Sequence, residues 1–144
     1  MSKTKVKGFS IARNFKNDEA AVNHGVWRDV FDGSARLLVA RYNNDAHTAY
    51  LRTERAKEAK LLENSESDEA QTFLEDLGNR ALAKHILKGW EGILDEDGKT
   101  ELPFSEETAY KLLTEYVEFS NLVFSLSMEV DQYRAYAEGK AVKN

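Results

Sequence analysis

The chain contains no cysteine, a single proline and only three histidines. Without thiols it can form neither a disulfide nor a thiolate metal site, a usage that fits a reducing compartment. No run of about 18 apolar residues occurs, so no membrane-spanning helix is expected. The N-terminus, M-S-K-T-K-V-K-G, is charged but leads into no apolar block and does not read as a secretory signal. Positive charge is scarce: 20 Lys and Arg stand against 25 Asp and Glu, a formal net charge of −5. A general nucleic-acid binder needs a basic face to neutralise phosphates, so neither nucleic acid nor membrane is expected as a partner.

Chemistry is equally thin. His24, His47 and His85 fall on different expected elements without metal-ligand spacing. His85, on an apolar stripe, reads as a hydrogen-bonded core or boundary residue. No glycine-rich phosphate loop, G-x-S-x-G elbow or H-E-x-x-H is present. Asp95, Asp97 and Gly98 hint at a calcium loop, but Gly98 in the sixth position would put Ile93 first and Phe104 twelfth, where carboxylates belong. The expectation is a protein that is not an enzyme, with no catalytic residues, metal or cofactor.

What is present is ordinary globular material, 42% hydrophobic and 31% charged, enough for one domain, with or without arms. The charge is unevenly placed. Residues 1–16 hold five basic side chains and no acid, whereas residues 61–110 hold thirteen acids against Arg80, Lys84, Lys88 and Lys99. The basic segment is either a solvated tail or an arm that docks on an acidic neighbour, another copy included.

Residues 1–24 read as that arm, with Val6, Phe9, Ile11 and Phe15 too sparse for a core element. From Gly25, V-W-R-D-V-F alternates at period two, Asp32-Gly33 signals a reversal, and S-A-R-L-L-V-A-R-Y returns, which predicts a hairpin at 25–42. A hairpin alone is marginal in water and must pack on something. Helices are expected at about 46–62, 67–90 and 105–137, the second capped by Ser65 or Ser67 and the third by Ser105. Toward the end of the second, Ala81, Leu82, His85, Ile86, Gly89 and Trp90 recur at three- and four-residue steps, as on one helical face. Asp95–Gly98 is turn chemistry, and Leu102-Pro103-Phe104 is extended because the residue before proline leaves helical space. The fold class is therefore mainly α with an N-terminal β-hairpin (α+β), its helical core carrying a helix–loop–helix hinge at 89–105. The globular domain runs over 25–137, with a tail at 138–144.

The stretch Gly89, Trp90, Ile93, Asp95, Gly98, Pro103, Phe104, Ser105, Glu107, Ala109, Leu112 and Leu113 resembles a pattern of the tail assembly chaperones of tailed bacteriophages. Gly25, Gly33, Leu38, Val39, Arg41 and Asn43 or Asn44 resemble the hairpin that opens such proteins, and the two matches follow the family's order. The resemblance implies a chaperone that binds the tape-measure protein and recruits tail-tube subunits in the host cytoplasm. The alternative is a small structural virion protein of a tailed phage: a head, decoration or tail component. From 116 to 128 the last helix is apolar almost all round, which points to a core or an oligomer interface, and self-association is expected there. The candidate partner-binding residues are Trp90, Phe104, Tyr116, Phe119, Leu122, Val123 and Phe124. Each either meets a partner or lies in the core.

Overall fold

In a computed structural model, residues 6–135 are described; Lys3 and Lys5 of the basic segment and the tail at 138–144 lie outside them. The fold is α+β, as the patterning predicts. Among the described residues six α-helices, α1 (Ile11–Phe15), α2 (Glu19–His24), α3 (Asp45–Lys57), α4 (Asp68–Ala81), α5 (Glu106–Glu115) and α6 (Val117–Ser127), accompany three strands, β1 (Val26–Val30), β2 (Ala35–Val39) and β3 (Leu87–Glu91). The strands form one antiparallel sheet in the order β1-β2-β3.

The hairpin lies where the alternation places it, β1 pairing with β2 from Val26 opposite Val39 to Val30 opposite Ala35. Its loop spans four residues, and Phe31 and Asp32 take positive φ of 54° and 55° before Gly33. Ala35, Leu37 and Val39 point into the core, while Trp27, Asp29, Arg36 and Glu91 share the outer face. There Arg36 lies 4.7 Å over the Trp27 ring and reaches Glu91 at 3.1 Å.

Capping chemistry sets the helix starts. Asp18, Asn44, Ser67 and Ser105 accept backbone N–H bonds at the first turns of α2, α3, α4 and α5. Of the two serines proposed for α4, Ser67 is the cap, at 3.1 Å from the Ala70 N–H.

The expected helix 67–90 is not one helix. It is α-helical to Ala81, widens into a single π-turn at Leu82–Ile86, then becomes strand β3. The hairpin's need for a third strand overrides the helical periodicity, since the free edge of β2 would otherwise leave backbone groups unpaired. Gly89 suits the strand: Trp27 and Leu38 of the neighbouring strands lie where a larger side chain would stand, 3.6–3.7 Å from a notional Cβ. The hinge at 89–105 is accordingly strand–loop–helix, not helix–loop–helix.

The expected helix 105–137 also divides. Tyr116 is extended, with φ −120° and ψ 94°, and its carbonyl caps the next turn by accepting from Phe119 and Ser120. The change of direction lets Val123 and Leu126 reach the sheet, where they join Leu37, Val39, Ile86, Leu87, Trp90 and Leu113 in the main core. Fully burying an aliphatic side chain of this size stabilises by about 1.5–3 kcal/mol.

Nor is 1–24 wholly an arm. Ala21 and Val22 of α2 form a second core with Tyr133, whose hydroxyl donates to the Val39 carbonyl at 3.0 Å. Backbone bonds from Asp18 to Tyr133 and from Ala135 to Lys16, each 2.8 Å, fasten the two ends together. The sequence hides this because the partners lie at opposite ends of the chain.

Candidate interaction surface

The stretch 87–113 folds as one unit. Trp90 sits opposite Leu37, and its indole N–H donates to the Leu102 carbonyl at 2.7 Å. Phe104 packs edge-on against the indole, with ring centroids 4.9 Å apart. Between them residues 93–102 double back as a ribbon: Leu102 N–H bonds Ile93 O at 2.8 Å and Asp95 N–H bonds Thr100 O at 2.7 Å. The Asp97 carboxylate accepts from the N–H groups of Lys99 and Thr100. With the Thr100 hydroxyl the foremost cause, these bonds hold its pKa below the usual carboxylate value. The acidic turn is thus organised by its own backbone.

The seven candidate residues divide into three environments. Trp90 and Val123 are interior, the latter with no exposed surface. Phe104, Phe119 and Leu122 are half-buried against the main core. Only Tyr116 and Phe124 are exposed, by 52% and 43%. The seven residues do not form one surface.

A different set does. Val117, Phe124 and Met128 follow one another at steps of seven and four, the spacing of a single helical stripe, and are exposed by 67%, 43% and 48%. Tyr116 adjoins the stripe at one end and Val130 at the other. Phe124 is held from below by Tyr42, edge to face at 5.0 Å. Sequence reasoning passed over Val117 and Met128 because an all-apolar helix offers no polar residues to mark which face is outside. The break at Tyr116, which sets that face, leaves little local trace.

Beside the stripe, a groove of about 510 Å³ runs between the 93–102 ribbon and α5. Leu94, Leu102, Leu112 and Tyr116 supply its apolar lining, and among its charged residues Asp95, Glu96 and Glu115 outnumber Lys111.

His47 and His85 lie near one another, but among the described residues no third ligand joins them. His24 is exposed, His85 lies against the Tyr50 ring at 5.3 Å, and His47 is buried beside Tyr42. Burial, with nearby His85 adding to it, takes the His47 pKa down to about 4, and burial followed by Lys88 and Lys84 lowers that of His85. Among the described residues no group of three or more His, Asp or Glu could hold a metal ion. No helix among them is long and apolar enough to cross a membrane.

Neither the curated proteins nor the solved structures provide a match to the chain. A family model does: that of the YdaY prophage protein matches residues 40–144, which take in the ribbon, the Trp90–Phe104 contact and the α6 stripe. With well over half its length matched, the chain belongs to the YdaY prophage protein family and is phage-derived.

Proposed function

We propose that this prophage protein is a tail assembly chaperone that binds a tape-measure protein and recruits tail-tube subunits, with no enzymatic activity of its own. The observation that carries the reading is the exposed stripe of Val117, Phe124 and Met128 along α6 and its C-cap. A solvent-facing helix of a small protein seldom keeps three large apolar side chains in line unless another apolar surface covers them. The strand–ribbon–helix unit at 87–113, where the chaperone-like residues fall, supports the same reading by fixing α5 and thereby the start of α6. A tape-measure protein is long, so many copies can bind along it, and modest affinity per copy suffices when contacts act together. In this reading the protein works in the host cytoplasm and leaves before the particle matures.

The test is co-expression with the tape-measure protein of the same prophage. The wild-type chain should keep it soluble and co-purify with it. Val117→Asp, at a position too exposed to matter for folding, should weaken capture at least about tenfold. Capture untouched by Val117→Asp and Met128→Asp would remove the stripe from the mechanism. The second reading, a structural virion protein, is favoured by the hairpin, whose exposed Phe31 at the loop and Trp27 on the outer sheet face could lie against a neighbouring subunit. Mass spectrometry of purified mature particles separates the two, since a chaperone is absent from them and a structural component is present.

A further inference from the structure

The first described residues carry an apolar face of their own. Val6, Phe9, Ile11 and Phe15 are exposed by 89%, 66%, 64% and 47%. Phe9 and Phe15 lean on one another at 5.8 Å, and Arg134 lies 4.8 Å over Phe15. Residues 6–16 include Lys7, Arg13 and Lys16 and no acid. The 16–18 backbone, bonded to 133–135, anchors this segment to the body and leaves its apolar side open.

The surface of opposite character is the groove between the 93–102 ribbon and α5. Residues 91–118 hold nine acids against Lys99 and Lys111, and Leu94, Leu102, Leu112 and Tyr116 lie among the groove's lining. We propose that residues 6–16 of one copy dock in this groove of a second copy. Phe9 and Ile11 cover Leu94, Leu102, Leu112 and Tyr116, while Lys7 and Lys16 face Asp95, Glu96 and Glu115. Two features single out a second copy as the occupant. The basic segment has a partner of opposite charge within the same sequence, and both patches combine exposed apolar side chains with charged ones. Because the two patches differ, the contact runs head to tail, building a ring or chain, unless two copies exchange segments. This inference does not depend on what the α6 stripe binds.

Light scattering on the full chain tests it. At about 100 μM and low salt the wild type should exceed the monomer mass, and it should return to monomer as salt rises to about 0.5 M and screens the charges. Lys7→Glu with Lys16→Glu, or Glu96→Lys with Glu115→Lys, alters only exposed side chains and should give a monomer of unchanged helicity. Mixing the two reversed proteins should restore a complex, because the charges are again opposite. A monomeric wild type at low salt overturns the proposal, as does a mixture that stays monomeric. If the lysine variant associates as the wild type does yet no longer binds phosphatidylserine vesicles that the wild type binds, the segment reads a membrane surface and the proposal is wrong.

Discussion

Mild acid should loosen this protein through one side chain, His47. Its ring is 1% exposed, and its Nδ1 accepts the Asn43 backbone N–H at 3.3 Å. The Tyr42 ring lies 4.6 Å away. A proton arriving there must sit as a charge inside the fold, and near His85, which is why the pKa falls from 6.5 to about 4. In the unfolded chain the same histidine titrates near its ordinary value. Between those two pH values the unfolded state therefore holds more protons than the folded one. The stability tied to neutral His47 is complete above pH 6.5 and is lost as the pH falls toward 4. Linkage converts the difference into a loss of about 2 kcal/mol between about pH 7 and about pH 5. His85, also lowered by burial, adds with the same sign. Urea unfolding across that range stays above most carboxylate titration and reads the loss directly. His47→Gln keeps an acceptor without the titration, so most of the pH dependence should vanish in it. Equal stability of the wild type at both ends of the range would refute the argument. So would a His47→Gln protein that keeps the full slope.

Three further outcomes follow from the packing. Trp90→Ala should cost about 3–5 kcal/mol, and Trp90→Phe, which removes only the donor to Leu102 and part of the ring, about 1–2 kcal/mol; chemical denaturation orders the two. Gly92→Ala should destabilise clearly more than Gly98→Ala in the same assay. Both glycines have positive φ, but a Cβ at Gly92 would stand 2.6 Å from the Ser34 carbonyl oxygen whereas Gly98 opens onto space. Tyr133→Phe should cost about 1 kcal/mol by removing the donor to Val39. Because burial pushes the Tyr133 pKa up to about 12, the wild type should also lose stability as the pH rises from 10 toward 12, and the phenylalanine variant should lack that component.

Much of the architecture is readable residue by residue where the cause is local. Asp32-Gly33 marks the reversal, and Ser67 and Ser105 start their helices. The failures share another cause. Leu87–Glu91 carries a helical repeat yet becomes a strand, because the edge of β2 offers more than continued helix would. The last helix breaks at Tyr116 because the sheet, distant in sequence, dictates where Val123 must go. Of the candidate surface, Tyr116 and Phe124 were legible as exposed aromatics only by chance of phase. In a uniformly apolar helix the outward direction is set by what packs on the other side.

The closure of the two ends on Tyr133 has a consequence for how the protein is made. Ala21 and Val22 are synthesised early, but the ring that covers them arrives roughly 110 residues later, on the order of 5–20 s at ordinary translation rates. Until then α2 can form its turns but has nothing to close against, so a segment made before the main core is fixed only after it. The same holds in reverse for loss. A premature stop or a proteolytic cut just before Tyr133 leaves the main core intact, and its first effect is felt at the opposite end of the chain.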